Sequence, residues 1–526
     1  MTTKLLTIRE ASTWASQYLK KNVTTSNIAY LIQYGKIKKY GESGNTVINK
    51  HDLITYYKSF NSRRELNWKE QLGTDLNWAL SFEHLKEKET TKHVHRLHPY
   101  KGKFIPQLAE YFLDDHTDTF KRESYFKKGD IVLDPFCGSG TTMVQANELG
   151  IHALGVDIST FNTLIANVKV GTVDFEALNY HLTAITQALK DFIARHNNTD
   201  FENALLAELN QFNKKYFPAP EYKIKARRGE IKEHIYAATK EKEFTKTFDQ
   251  LRKKYNLQIH SNKTTNFLEK WYLQPVKKEI DFTCEQVKRI KSPAVKKIIA
   301  IILSRTVRSC RATTHADLAT LKNPVIHPYY CRKHGKICKP LFSILAWWQR
   351  YCDDTIKRLY EFNALRTDTF QTCLQGDARN IDLKTKLGKK IAPFAQLIER
   401  QKIKGIFSSP PYIGLIDYHE QHAYAYDLFG FPRNDSLEIG PLAKGQGRAA
   451  RQSYIESIAK VLVHAKKYLL KDYDVFLVAN DKYNLYPTIA EKSAMKIVHC
   501  YKRPVLNRTE KDKSAYAEII FHLKEA

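Results

Sequence analysis

The string Asp134-Pro-Phe-Cys-Gly-Ser-Gly-Thr-Thr142 constrains the fold more than any other part of this 526-residue chain. It follows the apolar β-type run Ile131-Val-Leu and opens Thr141-Thr-Met-Val-Gln-Ala-Asn-Glu-Leu, a helix-patterned stretch capped at Gly150. Ala153-Leu-Gly-Val-Asp157 reads as the next strand. Strand, glycine loop, helix and strand make the opening unit of a doubly wound sheet. Gly138 and Gly140 let the backbone turn tightly and approach a ligand without a Cβ clash. The loop is neither a GxGxxG fingerprint nor a P-loop, since no Gly-Lys-Ser/Thr follows. Asp134 precedes it, and Asp157 ends the next strand, where a ribose-binding carboxylate is expected about twenty residues on.

The αβ rhythm stops near residue 172 and returns near 366. Thr372-Cys-Leu-Gln-Gly-Asp377, Gly405-Ile-Phe-Ser-Ser409, Asp474-Val-Phe-Leu-Val-Ala479 and Ala517-Glu-Ile-Ile-Phe-His-Leu523 read as further strands of the same sheet. The stretch between is long, basic, aromatic, mostly helix-patterned and domain-sized. The expected organisation is a small module over 1–60, the first part of an α/β domain over 61–171, an inserted domain over 172–365, and the second part of the α/β domain over 366–526. Residues 61–97 read as a polar connector with some helix. Pro106 suits the first turn of a helix that follows His98-Pro-Tyr-Lys-Gly-Lys-Phe104.

Ser409-Pro-Pro-Tyr412 ends an apolar run. Two consecutive prolines fix two φ angles and remove two backbone donors, so carbonyl acceptors stay free for a ligand. An exocyclic aromatic amine is a poor nucleophile because its lone pair is delocalised into the ring. Acceptors on its protons, here Ser409 Oγ and the Pro410 carbonyl, push it toward a tetrahedral, nucleophilic nitrogen. Tyr412 offers a face for an extruded base. Alignment supplies the rest, and neither a metal nor a covalent intermediate is needed. Cys137 is accordingly a small packed residue rather than a nucleophile. The competing reading of Pro-Pro-Tyr is a polyproline ligand, which its strand-terminal position disfavours.

Together the two strings resemble the S-adenosylmethionine-dependent DNA methyltransferases that modify exocyclic amino groups, over roughly residues 98–171 and 372–523. The resemblance implies a Rossmann-like methyltransferase sheet with S-adenosylmethionine as cofactor. It implies a cofactor set of Phe104, Asp134, Phe136, Gly138, Gly140, Thr141, Asp157 and Asp377. Gly138 and Gly140 would pass under the cofactor, Asp134 would lie near its amino-acid end, and Phe104 would help enclose its methionine moiety. Asp157 would hold the ribose hydroxyls and Asp377 would face the adenine. The alternative for both aspartates is capping of the helix that follows. The catalytic set is Ser409, Pro410, Pro411 and Tyr412. In this family Ser-Pro-Pro-Tyr tends to mark cytosine N4 methylation and Asp- or Asn-Pro-Pro-Tyr adenine N6, so cytosine is favoured and adenine stays open. A restriction-modification role follows, with a cognate endonuclease acting on the same site. The long gap between Asp157 and Asp377 departs from compact members.

The formal net charge of +28 points to a polyanion, nucleic acid first, against the bland reading of solubility. Residues 1–60 resemble the winged helix-turn-helix modules of excisionases and MerR-type regulators, with Lys36 and Lys38 on the wing. The alternative is an interaction module. That module favours double-stranded DNA over RNA, whose A-form major groove is closed to side chains. In the insert, Arg305, Arg308 and Arg311 stand three apart, a spacing that presents a basic helical row to DNA or simply to solvent. His419 and His422 either face DNA or pack. Cys331, His334 and Cys338, with His327 or Cys310 as a fourth, lack the usual paired zinc-ligand units, so a packed loop is expected and no metal is assigned. No apolar run reaches membrane-span length and no signal peptide is evident, so a cytoplasmic enzyme is expected. From another class, a DNA-binding regulator with a degenerate methyltransferase fold remains, which intact Gly138, Gly140, Asp157 and Ser409-Pro-Pro-Tyr412 disfavour.

Overall fold

A computed structural model describes residues 5–19, 23–33, 37–41, 46–58, 76–82, 85–196, 198–259, 266–315, 323–505 and 516–526. The first segment builds a small unit with its own core. Strand β1 (Leu5–Thr7) pairs antiparallel with β2 (Val47–Asn49), and helices Ile8–Leu19, Thr25–Gln33 and Lys50–Lys58 surround a core that includes Ala11, Ala15, Ile28, Ile48 and Leu53. Thr7 and Glu10 cap the first helix reciprocally: the Glu10 amide donates to Thr7 Oγ1 at 3.2 Å, and the Thr7 amide donates to Glu10 Oε2 at 2.8 Å. A single bridge, Tyr40 to Val47, stands where a hairpin wing is expected, and β1 takes the other position beside β2. Lys36 lies outside the described residues. Lys38 is exposed, its ammonium 5.0 Å from the Tyr40 ring.

The main sheet uses β3 (Ile131–Asp134), β4 (His152–Asp157), β7 (Gln371–Gln375), β8 (Ile403–Ser408), β9 (Leu469–Ala479), β10 (Met495–Pro504) and β11 (Ala517–Glu525). A short antiparallel hairpin, β5 (Tyr329–Cys331) and β6 (Lys336–Cys338), stands apart in the insert. The sheet order is β10-β11-β9-β8-β3-β4-β7. Every pairing among β7, β4, β3, β8 and β9 is parallel, and β11 runs antiparallel between β9 and β10. The first strand, β3, is central, with β4 and β7 to one side and β8 and β9 to the other. The order in which the chain adds strands reverses there, from β4 and β7 on one side to β8 and β9 on the other, so a crevice opens beyond the carboxyl ends of β3, β4 and β8.

Apolar side chains alternate between the two faces as the pleat requires. Val132, Phe407, Phe476 and Val478 join one core; Ile131, Leu133, Ile406, Val475 and Leu477 join the other. Both faces are covered, which is why these strands read as continuous apolar runs. The first core continues without a break into the insert through Leu178, Ile185, Ile298 and Trp348. The insert's ends are clasped together: Arg366 Nη1 donates to the Gly171 carbonyl at 2.9 Å and Nη2 to that of Val170 at 3.3 Å.

Two expectations need correction. The 76–82 segment is not a solvated connector, since Leu80 is fully buried and Arg503 Nε on β10 donates to its carbonyl at 2.8 Å. Arg305, Arg308 and Arg311 do not form one exposed row. Helix Pro293–Ser309 is central to the insert, with Ile298 through Val307 all buried. Arg305 is therefore inside, donating from Nη1 to Asp354 Oδ2 at 2.6 Å, with its guanidinium 4.1 Å from the Tyr351 ring. Losing that carboxylate would strand a buried cation, at about 3–5 kcal/mol. Arg311, past the helix end, is buried and folds back to the Arg308 carbonyl at 3.0 Å. Arg308 alone stays half-buried, with no hydrogen bond or ion pair from its guanidinium among the described residues.

Candidate active site

The carboxyl ends of β3, β4, β7 and β8 line a cleft of about 850 Å³. Phe104, Asp134, Phe136, Gly138, Thr141, Asp157, Asp377, Ser409 and Pro411 all reach it. β3 and β8 are adjacent, so the glycine loop and the Ser-Pro-Pro-Tyr string leave the sheet side by side. One hydrogen bond fastens them: Ser408 Oγ donates to Asp134 Oδ1 at 2.5 Å. Thr142 Oγ1 adds a second tie, to the Phe407 carbonyl at 3.2 Å.

The loop is built around Asp157. Its Oδ2 accepts from the Gly138 amide at 2.8 Å, and its Oδ1 from the Ser159 amide at 2.8 Å and Asn162 Nδ2 at 3.1 Å. Gly138 has φ +49°, and a Cβ there would sit 3.0 Å from the Tyr100 hydroxyl. Gly140 serves a different end from the one expected. It has φ +77°, caps helix Thr141–Glu148, and would drive a Cβ to 3.0 Å from Ala166 Cβ. It does not line the cleft, so its role is close helix packing rather than passage under a ligand. The buried Lys169 pins the turn from below, donating to the Ser139 carbonyl at 2.6 Å. Cys137 is buried with its Sγ 3.3 Å from Met143 Sδ, and its interaction with the Cys373 thiol, then burial and the nearby carboxylates, hold its pKa well above the ordinary thiol value and keep it protonated.

Burial pushes both Asp134 and Asp157 up to about 6, against hydrogen bonds that favour their ionised forms. Asp377 differs. Arg379 grips it with Nε at 2.9 Å and Nη2 at 2.7 Å, and that pairing holds its carboxyl below the usual range despite partial burial. It therefore reaches the cleft with both oxygens already engaged.

Four carboxylates line the cleft, Asp134, Asp157, Asp377 and Glu438, against one ammonium, Lys103. A chain of charge +28 thus keeps an acidic cleft. Three buried polar atoms on lining residues, Ser139 Oγ, Thr141 Oγ1 and Asn162 Oδ1, have no hydrogen-bond partner among the described residues. Buried polar groups are costly unless satisfied, so they fit a polar ligand. A nucleoside carrying a sulfonium and an α-amino group matches the acidic lining, and Lys103 matches its carboxylate. S-adenosylmethionine fits on both counts.

At the catalytic string, Ser409 Oγ donates to the Val478 carbonyl on β9 at 3.0 Å. That commits its proton, so toward a ligand the hydroxyl oxygen acts as an acceptor. Pro410 is buried, and neither it nor Tyr412 lines the cleft. The Tyr412 hydroxyl donates to Glu518 Oε1 at 3.0 Å, and Arg503 holds Glu518 at 2.7 Å, so the ring orientation is fixed from β10 and β11. His419 and His422 pack. His419 is buried against Glu438 and accepts from the Asn434 amide at 3.2 Å, while His422 lies 5.5 Å from the His98 ring and 5.1 Å from Phe161.

Sequence reasoning missed Tyr100, Lys103, Asn162, Tyr418 and Glu438. Tyr100 and Lys103 belong to the segment that supplied Phe104, and their proximity to it was the available signal. Tyr418 stacks on Tyr100 at 6.2 Å, and Glu438 accepts from the Tyr418 amide at 3.2 Å; that pairing across the chain has no local signature.

Comparison with known proteins agrees with this geometry. A DNA methylase family model matches residues 7–167. The type II methyltransferase M.MjaII of Methanocaldococcus jannaschii is 45% identical over 525 residues, covering 99% of this chain and 97% of that one. M.MvaI of Kocuria varians is 27% identical over 139 residues, 26% of this chain and 29% of that one. M.BsoBI of Geobacillus stearothermophilus is 33% identical over 98 residues, 19% of this chain and 17% of that one. Identity at that level along essentially two whole chains, joined to an acidic nucleoside cleft beside Ser409-Pro-Pro-Tyr412, shows that the chain belongs to the S-adenosylmethionine-dependent DNA amino-methyltransferases.

Proposed function

We propose that the chain methylates the exocyclic N4 of cytosine within a specific double-stranded DNA site, as the modification half of a type II restriction-modification system. The observation that carries this is the placement of Ser409 at the lip of the cleft, its proton committed to the Val478 carbonyl. S-adenosylmethionine supplies an electrophilic methyl group when bound. The protein's residues do the rest. Asp157 would accept from ribose hydroxyls, Asp377 with Arg379 would border the adenine, and Asp134 would stand near the amino-acid end beside Phe104 and Lys103. Ser409 Oγ and the Pro410 carbonyl would accept from the target amine as its nitrogen becomes tetrahedral. Tyr412, held by Glu518, would carry an extruded base on its face. No thiol in the cleft is poised to attack a ring carbon, since Cys137 is buried and protonated.

Mass spectrometry of digested product DNA tests this reading, with N4-methylcytosine expected. N6-methyladenine would keep the mechanism and correct the base. 5-Methylcytosine would overturn the mechanism, and DNA binding without methyl transfer would favour a regulator.

Contacts with DNA are proposed for Arg308, whose guanidinium makes no ion pair among the described residues, and for Lys38, with Lys36, on the N-terminal module. Salt-dependent DNA affinity of the full chain tests both. Lys38→Glu should weaken binding to all sequences alike and flatten the salt slope. Arg308→Ala should cost about 1–3 kcal/mol and relax one position if it reads a base, or weaken all sequences if it holds phosphate. Wild-type affinity and slope would remove the residue from the interface.

A further inference from the structure

We propose that Cys331, His334, Cys338 and His315 form a structural zinc(II) site that fastens the β5–β6 hairpin to the chain leaving helix Pro293–Ser309. One ligating atom from each residue lies within 4.8 Å of all the others. A tetrahedral zinc with Zn–N and Zn–S bonds of ordinary length sets its ligand atoms roughly 3.3–3.8 Å apart. His334 Nδ1 and Cys338 Sγ, at 3.4 Å, already meet that spacing. The His315 and His334 rings stand 4.5 Å apart, edge to face.

The sequence reading looked for the wrong fourth ligand. Cys310 belongs to the main core, and His327 packs on Phe248 at 5.6 Å. His315 is supplied instead by a segment that only the fold brings near. The pairing that seemed absent is also present, because Cys331-Arg-Lys-His334 has the two-residue gap of a zinc knuckle with histidine in the second place. Gly335 makes the knuckle possible. Its φ is +65°, and its amide donates to the Cys331 carbonyl at 2.7 Å, turning His334 back over Cys331.

The surroundings are those of a ligand set. Tyr329 Oη lies 2.8 Å from His315 Nδ1, which orients that ring and leaves Nε2 for the metal. Both thiols are buried and free, and His315 sits at the solvent edge, where an ion can enter. A disulfide would employ neither histidine. Two soft sulfurs and two imidazoles gathered within 4.8 Å of one another select zinc over harder cations.

The metal would fasten the one face of the hairpin that stands apart from the main core. The hairpin's strands are three residues each, and its apolar cluster comprises Tyr329, Cys331 and Cys338 with Val325 against it, separate from the main core. Its other face is anchored in the main core by the fully buried Ile337 and by Tyr330, with polar ties beside them: the Asn213 side chain bridges the Ile337 amide and carbonyl at 2.9 Å each, and Tyr330 bonds Glu233 and Glu241. The metal would therefore hold in place the segment that carries Arg311 and follows Arg308.

Elemental analysis of the full-length protein, purified without chelator, should find one zinc per chain. Cys331→Ser and Cys338→Ser should each lower it to background, and chelation should lower the melting temperature of the wild type but not of those variants. Cobalt(II) added to metal-stripped wild-type protein should give the intense visible absorption of tetrahedral thiolate coordination, and His315→Ala should shift that spectrum. The cobalt readout uses the native chain, so it decides the matter even where a variant fails to fold. Absence of both zinc and a tetrahedral cobalt spectrum would overturn the site, as would a Cys331–Cys338 disulfide in the purified protein or unchanged zinc content in the cysteine variants.

Discussion

Replacing Ser409 with Ala should lower turnover about 10²–10³-fold, by comparison with other single hydrogen-bonding groups aimed at developing charge in a transition state. DNA affinity should change far less, because the bond to the amine strengthens only as the nitrogen pyramidalises. The geometry makes the test sharp. Ser409 Oγ is oriented by its own donation to Val478, so Ala removes an acceptor that is already aimed, not one that must be recruited. Ser409→Asn keeps an acceptor and a donor for Val478, and should recover part of the loss. Single-turnover methylation beside equilibrium DNA binding checks this. A kcat within a factor of two of wild type for Ser409→Ala would remove the hydroxyl from the chemistry.

The second large effect is expected at Asp157. Asp157→Ala should weaken S-adenosylmethionine binding by about 1.5–3 kcal/mol, the worth of a charge-assisted hydrogen bond, or roughly 10–150-fold in Kd. It also frees the Gly138 and Ser159 amides, so the loop itself loses its anchor. Asp157→Asn separates the two effects by keeping an acceptor without charge. The pH dependence has a definite sign. Burial raises Asp157 and Asp134 to about 6, so both are ionised at neutral pH and take up protons as pH falls through that value. Cofactor affinity should therefore be level above about pH 7 and fall below 6, more steeply in the wild type than in Asp157→Asn, which keeps one of the two titrations. For folding the sign is the reverse. A carboxyl raised above its unfolded value destabilises the native state as pH rises from about 4 to 6. Asp157→Asn removes that titration, so it should flatten the pH dependence of the melting temperature between about pH 4 and 6 while weakening the cofactor. Calorimetry across pH reads both; unchanged affinity in Asp157→Ala would exclude it from the site.

The ends of β3, β4 and β8 were legible because their residues answer to local physics. Ile131–Leu133 is apolar on both faces, the glycine loop needs positive φ at 138 and 140, and two prolines after Ser409 stop a strand. By contrast β10 was missed. Met495–Pro504 is polar and mostly exposed, and pairing with β11 is what makes it a strand. The arginine spacing was read correctly as helical for Arg305 and Arg308, while the helix ends at Ser309, before Arg311. The exposure of the row was misread, because i, i+3 periodicity says which residues share a face but not whether that face meets solvent or a second helix.

The sequence by itself determined the chemistry available: an acidic residue at each of two strand ends, a glycine turn between them, and a proline-locked acceptor after a third strand. Those are properties of φ, of backbone donors and of side-chain type, and they survive any packing. Only the tertiary structure decided which of these groups meet. Strand order sets β3 beside β8, so Ser408 reaches Asp134 across 274 positions of chain. Helix packing gives Gly140 to Ala166 rather than to the cleft, and buries Arg305 and Arg311 while leaving Arg308 free of ion pairs. The same folding brings His315 to Cys331, His334 and Cys338. Contacts at such separation depend on the summed burial of a whole core, and no window of local sequence contains that sum.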